Sequence, residues 1–206
     1  MNHERGLIAR QAGTVLVGQV AVVAFGVIDT LVAGRHSEAA LAALSVGSAV
    51  YITVFVMLMG LQQALLPLLS ELHGANRPDE VGRQFRQSLY LWALNSVTGM
   101  VALLWPDPLL AWTEVPEALQ PAVREYLRIL AWSLPPALLF RLFSTLNQSL
   151  GRPKSVTWIQ VIALVLKVPL SFLLALGLGE APGWGLPGCA YATLLVNCAM
   201  ILMGAY

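Results

Sequence analysis

Two charged residues interrupt long apolar stretches of this chain: Asp29, in the segment GVIDTLVAG, and Lys167, in the segment VLKVPLSF. A charge at the centre of a membrane helix costs at least about 2.5–3.5 kcal/mol on insertion scales, so such a residue usually has a function or a partner. A carboxyl group shielded from bulk water can take up a proton, release it, or exchange it for a cation as its surroundings open and close. Asp29 is therefore a candidate proton relay. The alternative is that Asp29 caps its helix near the membrane interface.

The depth of Lys167 predicts its partner. Counted from Val156, Lys167 lies roughly 16 Å into its apolar segment, close to the middle of a membrane. A lysine at this depth cannot easily extend its ammonium group to water. We expect Lys167 to face the protein interior, where Asp29 is the available acid. The sequence thus predicts an Asp29–Lys167 ion pair, or coupling of the two charges through water.

Neutral polar side chains also interrupt the apolar stretches, and any one of them is more typical of an interhelical hydrogen bond worth about 0.6 kcal/mol. Together they are candidates for lining a cavity. They are Gln19, Tyr51, Gln62, Asn95, Thr98, Asn147 and Asn197.

Other chemistry finds no support in the sequence. Cys189 and Cys198 are nine residues apart, so they lie on roughly opposite sides of a helix and can form neither a disulfide with each other nor a metal site. There is no GxSxG, Walker A, HExxH or CxxC motif, and no second buried acid or nucleophile pair, so we predict that the chain is not an enzyme. A net charge of +1 gives no field that would attract nucleic acid.

The composition indicates a lipid environment. Of the 206 residues, 57% are hydrophobic and 11% are charged, whereas a soluble domain carries about 25% charged residues. A span of about 20 apolar residues crosses the hydrocarbon core. We predict an all-α integral membrane protein, a single domain over 1–206 with six transmembrane helices. The predicted spans are about 7–33, 41–69, 85–105, 126–146, 156–178 and 186–206. The short connections predict that sequential helices are mostly antiparallel neighbours.

The arginine and lysine residues predict the orientation. Cytoplasmic loops are enriched in these residues, and eight of the 12 lie in three regions that alternate spans place on one side. These eight are Arg5, Arg10, Arg77, Arg83, Arg86, Arg141, Arg152 and Lys154. We therefore predict a multi-pass protein of the inner (plasma) membrane with a cytoplasmic N-terminus.

Several stretches, taken in order along the chain, resemble a known family. They are GVIDTLVAGRHSEAALAALSVG, MGLQQALLPLLSELHGANRPDEVGRQFRQSLYLWAL, LPPALLFRLFSTLNQSLGRPK, and VPLSFLLALG followed by GLPGCAYAT. No single stretch is specific to this family, but the order and spacing of the stretches are. Over essentially all of its length, the chain resembles the N-terminal half of a MATE (multidrug and toxic compound extrusion) transporter.

The resemblance implies one six-helix lobe of a twelve-helix antiporter. Such a protein is embedded in the lipid bilayer and exports drugs, organic cations and other small amphipathic compounds in exchange for protons or sodium. It uses no cofactor besides the coupling ion. Asp29 matches the cation-coupling residue of the family's N-terminal lobe. The implied partner is a second six-helix lobe, from the same gene, from another chain or from a second copy.

The resemblance has one chemical departure. The family's fifth helix usually carries an Asn and, four residues later, an Asn or Asp, where this chain has Lys167 and Ser171. A fixed positive charge would repel sodium, so the departure favours proton coupling through Asp29, with Lys167 released when Asp29 is protonated. Loss of coupling is the alternative. Ser171 joins Gln19, Tyr51, Asn147 and Asn197 as a candidate cavity-lining residue.

Length is a second departure, because alternating access needs two parts that rock around a site. We expect a fragment or half-unit of a transporter. The alternatives are a flippase of the wider superfamily, which would favour a larger and more basic cavity, and a non-transporting membrane assembly protein or inactive fragment.

Reporter fusions test the predicted orientation. Six spans after a cytoplasmic N-terminus place Tyr206 in the cytoplasm, so green fluorescent protein fused after Tyr206 should fluoresce and alkaline phosphatase at the same point should be inactive. An active phosphatase at this position would overturn the orientation.

Overall fold

The computed structural model describes residues 2–112, 115–177 and 183–205, with side chains from residue 12 onward and up to residue 111 in the first range. Helices make up most of the described chain, and these ranges contain no strand. The helices are α1 (Asn2–His36), α2 (Glu38–Gln63), α3 (Leu65–Gly74), α4 (Pro78–Leu104), α5 (Asp107–Trp112), α6 (Gln120–Ser149), α7 (Pro153–Leu176) and α8 (Leu186–Ala205). The predicted all-α class is confirmed.

Among the described residues, five helical segments are long and apolar enough to cross a membrane, one fewer than the six predicted. They are Ala12–His36, Glu38–Gly74, Gln120–Ser149, Pro153–Leu176 and Leu186–Ala205. The predicted span without a counterpart is the third, 85–105, which coincides with α4 except for its last residue. This helix is 27 residues long, which is about 40 Å and sufficient to span. Its first turns, however, are charged, and Asn95 and Thr98 lower the hydropathy of the remainder.

The second predicted span is divided into α2 and α3 at Ala64, a break that the sequence analysis did not predict. Pro67 explains the break. A proline has no backbone N–H, and its ring collides with the carbonyl group four residues earlier, here that of Gln63. The helical path therefore restarts at Leu65 rather than continuing without interruption.

The connections are shorter than predicted. The polar stretch 34–38 reduces to Ser37, whose Oγ accepts a hydrogen bond from the Ala40 N–H and caps α2. The charged loop predicted after the second span reduces to residues 75–77, because Pro78 starts α4 where a missing N–H costs no helical hydrogen bond. The side chains of Arg5 and Arg10, the residue Tyr206 and part of the predicted turn at 178–182 lie outside the described portion.

The packing differs from the predicted order of antiparallel neighbours. α6 lies at the centre of the bundle against α2, α4 and α8, while α1 packs most extensively on α7 rather than on α2. α1 and α7 run in the same direction. The Thr157 hydroxyl, near the start of α7, donates to the Thr14 carbonyl of α1 (2.9 Å), and further along both helices Lys167 meets Asp29. Polar contacts thus bring α1 against α7, although the short loop after α1 leads directly to α2.

The surface is apolar where lipid would surround the chain. α6 contributes a buried column of leucines, and α1 exposes a row of large hydrophobic side chains. The column is Leu127, Leu130, Leu134, Leu138 and Leu142, and the row is Leu16, Val20, Val23, Val27 and Leu31. Large apolar patches of this kind are costly in water and are ordinary in a bilayer. The chain is therefore a multi-pass membrane protein.

Gly188 offers a test of the packing of α7 on α8. A Cβ atom at this position would collide with the backbone of Leu174 and Ala175. We expect Gly188→Ala to force the helices apart and to lower the free energy of unfolding by about 1–3 kcal/mol. Thermal unfolding of the purified protein in detergent measures the loss.

Gly60→Ala is the matched control for Gly188→Ala. No atom lies within 4 Å of a Cβ built on Gly60, so this change should be neutral or slightly stabilising. Equal melting temperatures for the two variants would contradict the close approach of α8 to α7.

Candidate functional site

The candidate site is centred on an ion pair between α1 and α7. Lys167 Nζ donates to Asp29 Oδ2 at 3.0 Å, and the two side chains are 1% and 12% exposed. Ser171 Oγ lies 3.4 Å from Asp29 Oδ1 and donates to it. Lys167 and Ser171 are four residues apart on α7 and therefore share one helix face. Both oxygens of the carboxylate are thus bound by α7.

A third helix completes the site. The ammonium group of Lys167 also donates to the hydroxyl of Thr193 on α8. The Thr193 hydroxyl in turn donates to the Cys189 carbonyl at 2.9 Å, one turn earlier in the same helix. The hydroxyl can accept from Lys167 because its own hydrogen is directed at the backbone. Lys167 therefore bridges α1 and α8.

A cavity of about 450 Å³ adjoins the acid but not the lysine. Its wall consists of Val23, Gly26, Val27, Asp29, Thr30, Leu31, Leu44, Ser48, Ile52 and Tyr126. Asp29 is the charged member of this wall, while Lys167 is 0% exposed behind it. A proton or ligand in the cavity consequently meets the carboxyl group first.

The electrostatics of the pair follow from its burial. Each ion loses several kcal/mol of hydration in a low-dielectric interior, and their mutual attraction offsets this loss only with good geometry and further hydrogen bonds. Ser171 and Thr193 supply those bonds. The other titratable groups that act on Asp29 or Lys167 from neighbouring helices are Tyr126 on α6 and Cys189 on α8.

A second polar cluster joins α2, α6 and α8. Asn197 Nδ2 donates to Ser133 Oγ at 2.7 Å, and both residues are buried. The Tyr51 side chain interacts with the same serine. Two of the predicted cavity candidates, Tyr51 and Asn197, therefore meet at Ser133, and neither contributes to the cavity beside Asp29.

Two other candidates lie apart from both clusters. Gln19 is exposed on α1, and Asn147 Nδ2 donates to the Phe143 carbonyl of its own helix at 2.9 Å. Neither belongs to the wall of the cavity beside Asp29. Gln19 faces outward although it lies inside an apolar stretch, because position within a span does not fix the direction of a side chain.

Thr193, Ser133 and Tyr126 are site residues that the sequence analysis missed. Thr193 lies one turn before Asn197 on α8, so helical spacing from that asparagine would have placed it on the same face. Ser133 and Tyr126 carry no comparable signal, because no candidate residue lies one turn away from either on α6 and Tyr126 lies at the edge of its predicted span.

Comparison with known proteins identifies the family. A family model described as MatE matches residues 15–173, well over half of the chain. This chain belongs to the MatE family. The resemblance derived from the sequence is thereby confirmed. Members of the MatE family are transporters rather than enzymes, which agrees with the prediction drawn from the absence of catalytic motifs.

Relatives with curated names are similar over nearly the whole chain. The probable multidrug resistance protein NorM of Aromatoleum aromaticum is 34% identical over 200 residues, which are 97% of this chain and 43% of that protein. The protein of the same name from Chromobacterium violaceum is 35% identical over 95% of this chain and 43% of its own length. The chain thus spans less than half the length of these curated relatives.

Solved structures support the fold. A MATE protein crystallised in the bent conformation matches 98% of this chain with a TM-score of 0.88 at 20% identity, and the match covers 44% of that protein. An outward-facing multidrug resistance MATE family transporter of the MOP superfamily matches 97% with a TM-score of 0.86 at 22% identity, again over 44% of its length. The described helices therefore have the fold of one part of a MATE transporter.

The buried pair makes a testable contribution to stability. We expect Lys167→Met to lower the free energy of unfolding by about 3–5 kcal/mol, because it leaves the Asp29 carboxylate buried without its counter-charge. The double variant Asp29→Asn, Lys167→Met should recover most of this loss. Thermal unfolding in detergent measures both variants.

Lys154→Met serves as the matched control for the stability test, because Lys154 is exposed at the start of the same helix. It should be within about 0.5 kcal/mol of the parent protein. A double variant as unstable as Lys167→Met alone would show that the two side chains are not energetically coupled.

Proposed function

We propose that this chain forms one lobe of a secondary transporter of the inner (plasma) membrane that exports amphipathic or cationic compounds in exchange for protons. The observation that carries this proposal is the position of Asp29, between a 450 Å³ cavity and the fully buried ammonium group of Lys167. An acid in this position can bind a proton from the cavity and transmit the change in charge to three helices. The names of the relatives, which are probable multidrug resistance proteins, support the export of drugs.

The proton step uses this chain's own groups. When Asp29 is ionised, its carboxylate accepts hydrogen bonds from Lys167 and Ser171, and these bonds connect α1 to α7. Protonation at the carboxyl group removes the negative charge and with it the attraction to Lys167. The ammonium group retains its hydrogen bond to Thr193. Fewer interactions then connect α1 to α7. Loss of the proton restores the ion pair between Asp29 and Lys167.

The chemistry of the site supports a proton over sodium as the coupling ion. A sodium ion needs several oxygen ligands, and a fixed ammonium group 3.0 Å from the carboxylate repels a second cation. Lys167 thus occupies the place where a metal cation would approach Asp29. No cofactor has a role in this proposal.

Transport also requires a partner. Substrate release on the far side of the membrane requires two parts that rock about a site, and the chain covers less than half of its relatives. We propose a second six-helix lobe as this part, supplied by the same gene, another chain or a second copy. The cytoplasmic N-terminus predicted from the basic residues belongs to the same proposal.

An efflux assay tests the function. Cells that lack other drug pumps would express this chain alone or together with a second lobe, and loss of ethidium from preloaded cells would be followed. We expect proton-dependent efflux with the second lobe present, abolished by Asp29→Asn because an amide cannot carry the proton.

The control for this assay is Gln19→Ala, since Gln19 is exposed and outside the site. It should transport at the parental rate. Absence of efflux in every combination would overturn the transporter proposal. Efflux that survives Asp29→Asn would remove Asp29 from the mechanism and favour a role in membrane assembly for this residue.

A further inference from the structure

A positive charge on α6 has no acidic partner within the described part of the chain. Arg141 Nε donates to the sulfur of Met59 on α2 at 2.9 Å, and a thioether sulfur is a weak acceptor. The salt bridges among the described residues involve other cations, namely Arg77, Arg124 and Lys167. A guanidinium group has five N–H donors and binds best to a carboxylate or phosphate that accepts two of them. Arg141 does not meet such an acceptor in this lobe.

The depth of Arg141 makes an unpaired charge costly. Arg141 lies eight residues before Ser149, the last residue of α6, which is about 12 Å from that end of the helix. Its side chain is only partly exposed, and a charge inside a membrane helix usually has a partner or a function. One turn after Met59, the buried Gln62 also has no hydrogen-bond partner for either atom of its side-chain amide. Since buried polar groups are normally paired, this junction of α2 and α6 calls for a further polar group.

The junction lies on the face of the lobe that carries the cavity. On α2, Met59 comes two turns after Ile52, which lines the cavity, so the two side chains share one face of the helix. On α6, Arg141 is only about 60° around the helix axis from Tyr126, another residue of the cavity wall. α2 and α6 run in the same direction, since Gly47 packs on the ring of Tyr126 and Met59 contacts Arg141 further along both helices. Arg141 therefore lies on the cavity face, about 22 Å further along α6 than Tyr126.

From these contacts we infer that Arg141 forms an ion pair with a carboxylate of the second lobe. The inference rests on the proposed function, in which the cavity lies between two lobes that rock about it. The face that carries the cavity then meets the second lobe, and this chain matches less than half the length of the solved MATE transporters. A carboxylate from that lobe can accept two hydrogen bonds from the guanidinium group. It also brings an acceptor to the helix turn that holds the unpartnered amide of Gln62.

An ion pair at Arg141 closes one end of the cleft between the lobes. The pair forms when the lobes approach each other at the ends of α2 and α6, and it breaks when they separate there. The cavity beside Asp29 lies nearer to the start of α2, where Leu44 and Ser48 form part of its wall. The pair therefore stabilises the state in which the cavity opens at the opposite end of the cleft from Arg141.

Association of the two lobes measures the contribution of Arg141. The second lobe would be the part of NorM from Aromatoleum aromaticum that lies outside its match to this chain. Energy transfer between fluorophores on the two lobes, in phosphatidylcholine vesicles, gives the dissociation constant. We expect Arg141→Gln to weaken association at least about tenfold, because it removes one charge of a partly buried pair. Arg141→Lys should retain part of the affinity, since it keeps the charge but not the paired N–H donors.

Arg128→Gln is the matched control for Arg141→Gln. Arg128 is exposed on the same helix, but it lies on roughly the opposite side from Arg141. This change should leave the dissociation constant of the two lobes at the parental value.

The stability of the chain without a second lobe separates a role between the lobes from a role within this one. Inside the lobe, Arg141 meets only the weak acceptor Met59. Arg141→Gln should therefore shift the melting temperature of the isolated chain in detergent by no more than about 2 °C. A larger fall in the melting temperature would show that Arg141 stabilises its own lobe and would overturn the inference.

Substitutions in the second lobe identify the carboxylate. Each Asp and Glu of that lobe would be changed in turn to Asn or Gln. One of these changes should weaken association as much as Arg141→Gln does. Combining it with Arg141→Gln should cause no further loss, because the first change already removes the interaction.

The outcomes are distinct from those of the efflux assay. The inference fails if the parental lobes do not associate, if Arg141→Gln associates normally, or if no acid of the second lobe is coupled to Arg141. A loss that appears only after phosphatidylglycerol is added to the vesicles would assign the guanidinium group to a lipid phosphate instead. A coupled pair found without efflux supports the inference and removes the transport proposal. Efflux with association that is independent of Arg141 does the reverse.

Discussion

The ion pair between Asp29 and Lys167 is buried between two helices, whereas the other salt bridges among the described residues are exposed. Two charges buried in an apolar bundle must lie together, because either one alone would cost several kcal/mol. The pair draws α1 onto α7, although these helices are far apart along the chain. Thr193 extends the constraint to α8 through the same ammonium group. Three helices are thus positioned by one lysine.

The remaining contacts of the bundle are apolar and less directional. The leucine column of α6 fills the centre, and closely approaching glycines such as Gly188 let neighbouring backbones meet. Between helices in lipid, association depends on packing and hydrogen bonds, since apolar side chains are equally well solvated outside the bundle. A polar contact such as the Asp29–Lys167 pair therefore has more influence on helix order here than in a soluble protein.

The pair also connects structure with the proposed activity. Asp29 touches the cavity while Lys167 is sealed behind it, so a proton that arrives from the cavity acts on the whole three-helix junction. Membership in the MatE family supplies the expectation of transport. The lysine gives this chain a site charge one unit more positive than an acid alone would have.

The sequence by itself determined the class of the protein and the identity of the central pair. Hydropathy and charge content require a helical membrane protein, and an acid and a base buried in separate spans have few partners but each other. Family resemblance could also be recognised from ordered stretches, because such stretches preserve spacing. The predicted ends of the helices were less accurate. The break at Ala64 and the short turns depend on prolines and on helix capping, which act within one or two residues.

Only the tertiary structure decided which helices are neighbours and which polar side chains meet. The short loops predicted that helices consecutive in the chain pack on each other, yet α1 packs mainly on α7. A short loop keeps two helices close, but each helix in a bundle has several neighbours. Gln19 and Asn197 look alike in sequence, and one faces outward while the other binds Ser133. Helical spacing fixes relative directions along one helix, but the direction of the whole helix face is set by its contacts with the others.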